Sequence, residues 1–154
     1  MNSNKNLSFP VNDAESSESG DDFLLAMVAE PPTSKNQVIS VKCNGFSGGM
    51  TIGFGIVEII KKGNFKMLGD MNHGVYGLSA SGYPIYHGKN DDEECETTFE
   101  ITNEVVQIET DTKNRKITFT KKSNSQKYVM TIKETSVDMS KMQFVFGLLA
   151  GDSI

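Results

Sequence analysis

Residues 72–88 read NHGVYGLSASGYPIYHG, and this stretch decides the fold of the chain. Two short runs of aromatic and aliphatic residues flank a break at Ser81-Gly82. Glycine tolerates the positive φ that tight turns require, so a run, a glycine-containing break and a second run predict a β-hairpin. The stretch contains no catalytic constellation, and we expect it to lie at the centre of a β-sandwich.

Length and charge limit what the chain can do. Its 154 residues fit one domain, large enough to bury about 70% of the unfolded surface. The formal net charge is -5. Nucleic-acid affinity comes mainly from lysines and arginines that release counterions, and we find no basic stripe with interleaved aromatic residues. The sequence therefore argues against a nucleic-acid partner.

Cysteine usage and hydropathy favour a reducing compartment. The two cysteines are fewer than the four or more that a small secreted disulfide framework usually shows. Cys43 alternates with Ile39 and Val41, which indicates a buried thiol, and a bridge to Cys95 is not favoured. There is no apolar signal-peptide core and no apolar run near the ~20 residues that span a bilayer. We expect a cytoplasmic protein without membrane insertion, attached to the cytoskeleton or held within a large complex.

The chain divides into an acidic, polar N-terminal tail, residues 1–22, and a folded domain, residues 23–154. The tail holds few apolar residues, so ordering it would not be offset by burial, and we expect it to be mobile. Residues 23–29 are apolar, but periodicity cannot separate a short helix from a strand there. Residues 89–96 are expected to form a solvated acidic loop.

From Gln37 onward the pattern predicts strands. Apolar and polar residues alternate in most of these segments, with Ile117 and Phe119 facing inward in one of them. The last segment is continuously apolar, which is typical of a central strand covered on both faces. A loop is expected at 61–73 and an Asp/Asn-type turn at 111–115. The predicted strands are 38–43, 50–60, the two arms of the hairpin, 105–109, 116–121, 128–132 and 144–149.

Four blocks, taken in order, resemble the SPRY domains. Residues 39–42 and 51–57 are similar to their opening strands, and residues 74–88 to their central hairpin. Residues 104–122 resemble a third block, in which an acidic residue closes one strand and a lysine-rich end closes the next. Residues 147–154 are similar to the final block. The resemblance covers about residues 37–154 and has the character of divergent SPRY-like domains in single-celled eukaryotes.

This resemblance implies an all-β fold, a bent antiparallel sandwich of two sheets, preceded by the polar N-terminal extension. It also implies a protein-recognition module whose contact surface is formed by loops at one end of the sandwich. The sequence departs from the family in lacking tryptophan and any attached RING, B-box or suppressor-box segment. Relatives usually continue beyond the Gly-Asp-Ser block, so we expect an open sheet edge that the N-terminal segment or a partner strand covers.

No motif supports enzymatic chemistry, a metal or a cofactor. His73 and His87 lack the spacing of a metal or catalytic motif, and the cysteines form no Cys-x-x-Cys pair. The acidic residues 91–94 lack the EF-hand pattern, so a charged loop is the better interpretation and a partner contact the second. The glycines at 45–49 are followed by a predicted strand rather than the helix that a phosphate-binding loop needs, so we expect them to ease strand packing. We expect a protein that is not an enzyme.

Binding residues concentrate on loops held by a rigid scaffold, and aromatic side chains contribute most to affinity. The predicted partner-binding residues are Phe46, Asn64, Phe65, Lys66, Met67, Asn72, His73, Tyr83, Tyr86 and His87. The function predicted is a non-catalytic protein–protein interaction module, a subunit or scaffold element of a larger assembly. The alternative is a substrate-recognition adaptor that binds short peptide motifs for a ubiquitin-ligase-type complex. A carbohydrate-binding sandwich is the third interpretation.

Overall fold

Two antiparallel sheets pack face to face in the computed structural model, which describes residues 23–27, 36–44, 50–67, 72–88 and 99–149. The elements are β1 Phe23–Met27, β2 Val38–Lys42, β3 Met50–Ile56, α1 Val57–Lys62, β4 Lys66–Met67, β5 Val75–Ser79, β6 Pro84–Ile85, β7 Val105–Asp111, β8 Lys116–Lys121, β9 Lys127–Thr131, a 3-10 turn Met139–Lys141 and β10 Met142–Leu149. One sheet has the strand order β4-β1-β10-β3-β5-β6 and the other β2-β7-β8-β9. The predicted two-sheet sandwich is confirmed.

The main core lies between the two sheets. Ile52 and Phe54 of β3 are fully buried there, as are Phe119 of β8 and Met130 of β9. The ring of Phe54 meets that of Phe144 edge to face at 6.2 Å. Strand alternation placed these side chains correctly, including the predicted inward pair Ile117 and Phe119. Large apolar residues buried in this way each stabilise the fold by about 1.5–3 kcal/mol.

A second, smaller core covers the outer face of the six-stranded sheet. It consists of Leu25, Ile60, Val75, Ile85 and Val145. Here the chain departs from the prediction, because the strand expected to run to residue 60 ends at Ile56 and α1 follows it. The helix folds back over the sheet, and this buries Ile60 where an extended chain would have carried it past the sheet. The predicted loop at 61–73 is likewise wrong at its start, since it contains the end of α1 and strand β4.

The hairpin is confirmed. Strands β5 and β6 pair through Gly77 with Ile85 and Leu78 with Pro84, and Gly82 has the positive φ of 86° that the turn requires. The hairpin lies at one end of the six-stranded sheet, whose middle strands are β10 and β3. The expectation of a central position was therefore wrong for the sheet, although Tyr76 and Leu78 of β5 are fully buried in the main core.

The apolar segment after the predicted tail is a strand. β1 pairs antiparallel with β10 along its whole length, from Phe23 opposite Leu149 to Met27 opposite Val145. β10 is therefore flanked by β1 on one side and β3 on the other, as a continuously apolar strand should be. The expected cover of an open sheet edge by the N-terminal segment or a partner strand stays a prediction, since residues 1–22 and 150–154 lie outside the described part of the chain. The tail 1–22, Phe46, the acidic loop 89–96 and Cys95 lie outside the described residues.

A pair of glycines allows β3 and β5 to approach closely. Gly53 lies opposite Gly77 in the register of the two strands. A Cβ atom on Gly53 would lie 2.1 Å from the carbonyl oxygen of Tyr76 and 2.6 Å from the Cα of Gly77. Both are backbone atoms of the neighbouring strand, so no side chain can move aside to make room.

We predict that Gly53→Ala destabilises the domain by about 3 kcal/mol or more, since over-packing against backbone forces the strands apart. The matched control is Gly63→Ala after α1, where φ is -78° and the nearest atom to an added Cβ is 3.1 Å away. That change should alter stability by no more than about 1 kcal/mol. Urea unfolding followed by circular dichroism measures both, and equal effects would contradict the close approach as the cause.

Candidate functional site

One end of the sandwich carries an open cleft of about 770 Å³. β3 ends there, β10 begins there with Met142 opposite Ile56, and the chain leaves β6 at the same end. The cleft is therefore enclosed by α1, by the turn after β6 and by the segment leading into β10. Its lining residues are Ile56, Val57, Glu58, Ile59, Lys61, His87, Ser136, Val137, Asp138, Lys141 and Gln143.

Helix α1 forms the first wall, and its sequence suits so short a helix. Glu58 lies in its first turn and Lys61 in its last, so both charges complement the helix dipole. Ile60 anchors the helix, because its side chain occupies the space beside Gly55 that a Cβ there would fill at 2.2 Å. This anchoring leaves Val57 and Ile59 at the cleft surface.

Arg115 holds the opposite wall. Its Nε donates a hydrogen bond to the carbonyl of Ile132 at 3.2 Å, and its Nη2 donates to the carbonyls of Glu134 and Val137. A planar guanidinium can donate hydrogen bonds to several carbonyls at once, whereas a lysine ammonium cannot donate to them with the same geometry. The segment after β9 is thereby fixed to the start of β8.

The rim beside this wall carries a fixed negative charge. The Asp138 carboxylate accepts hydrogen bonds from the backbone N–H of Ser140 at 3.0 Å and from its hydroxyl at 2.6 Å. These bonds hold the pKa of Asp138 below its ordinary value, and the charges of Lys141 and Arg115 act in the same direction. Asp138 is therefore ionised at neutral pH.

His87 closes the cleft on the hairpin side as a neutral side chain. Its Nδ1 accepts a hydrogen bond from the backbone N–H of Gly74 at 2.9 Å, so the neutral ring carries its proton on Nε2. Burial lowers the pKa of His87, and the nearby Glu134 only partly opposes this. Among the described residues none accepts a hydrogen bond from Nε2, which leaves the cleft with one neutral N–H donor.

A buried tyrosine links the hairpin to the Arg115 wall. The hydroxyl of Tyr76 donates to Oε2 of Glu134 at 3.0 Å, and its ring lies 6.0 Å from that of His87. Burial raises the pKa of Tyr76, with the Glu134 charge and hydrogen bond adding to the effect, so the phenol stays protonated. The group is a structural donor, and it orients Glu134, whose carbonyl Arg115 also binds.

The cleft has the chemistry of a recognition surface. Its walls are apolar, at Ile59 and Val137 for example, and its rim pairs acidic Glu58 and Asp138 with basic Lys61 and Lys141. Pockets of this volume that combine apolar walls with a few polar groups are typical binding sites. Within the described residues no group of three His, Cys, Asp or Glu side chains could hold a metal ion.

The thiol of Cys43 is unsuited to nucleophilic chemistry. Cys43 follows β2 as a free, fully buried residue, which confirms the interpretation from its alternation. Burial raises the pKa of its thiol to about 11, and the charge of Glu104 adds to the increase. A protonated, enclosed thiol is a poor nucleophile.

Four of the predicted binding residues meet at the base of the hairpin. The rings of His73 and His87 lie 6.3 Å apart, and the backbone N–H of Asn72 donates to the carbonyl of His87 at 2.6 Å. His73 is buried, and Tyr86 is half-buried with its hydroxyl 3.2 Å from that of Tyr128. Of these four, His87 alone lines the cleft.

The other predicted residues lie elsewhere. Tyr83 is at the hairpin tip with 62% of its surface exposed. Asn64 and Phe65 form the turn after α1, both with positive φ, and Lys66 and Met67 form β4 beside β1. Phe46 lies outside the described residues. The structure thus brings the predicted residues to three separate places.

Sequence reasoning missed most of the cleft. The alternation predicts a strand at Val57 and Glu58 and a loop at Lys61, and no pattern in residues 133–143 predicts a site. One local signal was present: acidic Glu58 precedes basic Lys61 and Lys62, an order that suits a short helix. The Asp138-Met139-Ser140 turn is a second such signal, because an Asp two residues before Ser favours a local side-chain turn.

The fold of this chain is similar to that of a solved domain. The SPRY domain of human HERC1 superimposes with a TM-score of 0.56 and 14% sequence identity, covering 84% of this chain and 76% of that one. At this identity the match shows the fold, and the chain has a SPRY-like fold. No protein-family profile matches the sequence, and no curated protein does. In the described part of the chain, no helix is long and apolar enough to cross a membrane.

We predict that Arg115→Lys destabilises the domain by about 2 kcal/mol, because buried carbonyls lose charge-assisted donors. It should also speed hydrogen exchange of the backbone amides of residues 137–141, because Arg115 holds the start of this segment at the carbonyl of Val137. The control is Lys113→Ala at an exposed turn position, with an expected effect within about 0.5 kcal/mol. Unchanged exchange at 137–141 in the Arg115 variant would show that the guanidinium does not hold the wall.

We predict that acid destabilises the protein through His87. Because the pKa of His87 is lower in the folded protein, the unfolded chain takes up the proton at a higher pH than the folded protein does. The contribution of neutral His87 to stability is therefore fully present above the ordinary histidine pKa and is lost as the pH falls below it. Melting temperatures measured from pH 7.5 to 5.0 should fall less steeply in His87→Asn, whose amide oxygen can still accept from Gly74. Parallel curves for the two proteins would contradict the assignment.

Proposed function

We propose that this chain is a non-catalytic protein-interaction module that holds a segment of a partner protein in the cleft beside α1. The SPRY-like fold supports a protein-interaction role in general. The observation that carries the proposal is the lining of the cleft, where apolar walls meet a rim of both charges and one neutral imidazole donor. A peptide segment offers matching apolar side chains, charges and backbone carbonyls.

Several features support binding without catalysis. The Cys43 thiol and the Tyr76 phenol are both buried and protonated, and neither lines the cleft. His87 accepts from the backbone of Gly74 and so is already engaged at the nitrogen that would act as a base. The walls are held by the Arg115 hydrogen bonds and by Ile60, which suits a preformed surface that loses little entropy on binding.

Within this proposal the chain is a subunit or scaffold element of a larger assembly in the cytoplasm. The alternative is an adaptor that presents substrates to a ubiquitin-ligase-type complex through short peptide motifs. Exchange kinetics separate the two, since a fixed subunit stays bound through dilution whereas a motif-binding adaptor releases its ligand quickly and is displaced by free peptide.

We predict that a photo-crosslinking amino acid at Ser136, an exposed position of the cleft, captures a defined partner in the source cells. The matched control is Val38, which is 58% exposed on β2 and lies outside the cleft. Adding Val57→Asp should reduce the Ser136 adduct by about tenfold, since a carboxylate on the apolar wall would lose its hydration, unpaired, when a partner covers it. Mass spectrometry identifies and quantifies the adducts. Equal adducts at both positions, or no effect of Val57→Asp, would refute the cleft as the binding site.

A further inference from the structure

Positive charge is concentrated in one part of this acidic protein. Residues 112–133, which contain β8 and β9, hold seven of the fifteen lysines and arginines and none of the twenty acidic residues. Arg115 and Lys121 are occupied, the first by backbone carbonyls and the second by the ring of Phe99 at 5.0 Å. Lys116, Lys127 and Lys133 are exposed. This side of the four-stranded sheet is therefore suited to an acidic ligand.

Within the described part of the chain, the same region ends in an open strand edge. β9 is the terminal strand of its sheet and pairs with β8 alone among the described elements. Ile132 donates to Arg115, and Gln126 accepts from Lys121, so the even-numbered residues of β9 direct their backbone groups to β8. Successive residues of a strand direct their backbone groups to opposite sides. The N–H and C=O groups of Lys127, Val129 and Thr131 therefore point away from β8, within the plane of the sheet. These groups can pair with one more strand.

The side chains along this edge suit a partner strand. Lys127, Val129 and Thr131 project to the outer face, and Val129 is 47% exposed. Lys116 lies directly opposite Thr131, which places it in the same row of side chains. An edge of this kind attracts acidic strands and repels basic ones, and the same lysines would discourage self-pairing.

We propose that the β9 edge binds an extended acidic segment of a partner protein, which adds as a fifth strand to the four-stranded sheet. The backbone groups of Lys127, Val129 and Thr131 supply the pairing, and the exposed lysines select the charge. A nucleic-acid ligand is disfavoured, because among the described residues the exposed aromatic side chains, Phe65 and Tyr83, belong to the other half of the sandwich. None of these edge residues lines the cleft, so the inference stands apart from the proposed function.

The test uses the full chain and a fluorescein-labelled nonapeptide in which Glu alternates with Thr, with binding measured by fluorescence polarisation. One control peptide has N-methyl groups on alternate amides, which keeps the charge but removes strand pairing. A second replaces Glu by Gln, which keeps the pairing but removes the charge. We expect each control peptide to bind about fivefold more weakly or worse, since it loses either several backbone hydrogen bonds or several charge pairs.

Protein variants supply the second arm. Val129→Pro removes an outward N–H on the edge and should weaken binding about fivefold. Ser40→Pro does the same on β2, the other terminal strand of this sheet, where the odd-numbered residues bond to β7, and it should leave binding unchanged. Replacing Lys127 and Lys133 together by Glu should weaken binding by at least about fivefold.

Four outcomes would overturn the proposal. The first is no binding of the Glu-Thr peptide to the full chain, and the second is equal binding of the N-methylated peptide, which would indicate general polyanion binding. The third is an equal loss in Ser40→Pro. The fourth is tighter binding after removal of residues 1–22, which would mean that the chain's own acidic tail occupies the edge.

The N-methylated peptide needs no protein variant, so its binding tests strand pairing even if Val129→Pro fails to fold. Capture at Ser136 is measured separately and tests the cleft alone.

Discussion

The close approach of β3 and β5 is the constraint on which the rest of the six-stranded sheet depends. Gly53 and Gly77 lie opposite each other, and a Cβ atom on either one would clash with the backbone of the other strand. Glycine at both positions therefore allows β5 to lie this close to β3. The position of β5 sets that of Tyr76, whose hydroxyl reaches Glu134 across the end of the sandwich. A glycine pair in the interior of a sheet thus determines where the hairpin base meets the wall of the cleft.

Two cores of unequal size share this sheet. The main core between the sheets gives most of the burial, while the smaller one exists because α1 returns over the outer face and inserts Ile60 beside Gly55. Without the helix, Val75 and Val145 would expose apolar surface to water, which is unfavourable by about 25 cal/mol per Å². The helix that completes the second core is also the first wall of the cleft, so the site is built on an element that the fold needs for its own burial.

Much of the fold could be predicted from the sequence, because the information is local. Alternation fixed the inward faces of β8 and β9, and the glycine break fixed the hairpin turn. Alternation could not identify α1, since Ile59-Ile60 extends an apolar strand pattern and six residues are too few to show a helical period. The segment 23–27 became a strand only because β10 lies beside it, which is a tertiary fact.

The cleft was less accessible to sequence reasoning for the same reason. Glu58, His87 and Asp138 are far apart in the chain and meet only once three strand ends have been aligned by the register of the sheet. Loops rich in aromatic residues were the natural expectation, and His87 is where that expectation and the geometry coincide. His73 illustrates the opposite case, because a histidine in a loop was instead buried by the packing of the hairpin base.

Arg115 connects the parts of the molecule that face solvent. It belongs to the basic region, and its guanidinium binds the carbonyl of Ile132, directly after β9, and that of Val137 in the cleft wall. One side chain therefore fixes both the end of the open strand edge and the position of the cleft wall. Because the two surfaces share this anchor but no lining residue, loss of Arg115 should disturb both, whereas Val57 and Lys127 each belong to one. The two proposed binding surfaces are thus separable faces on a common support.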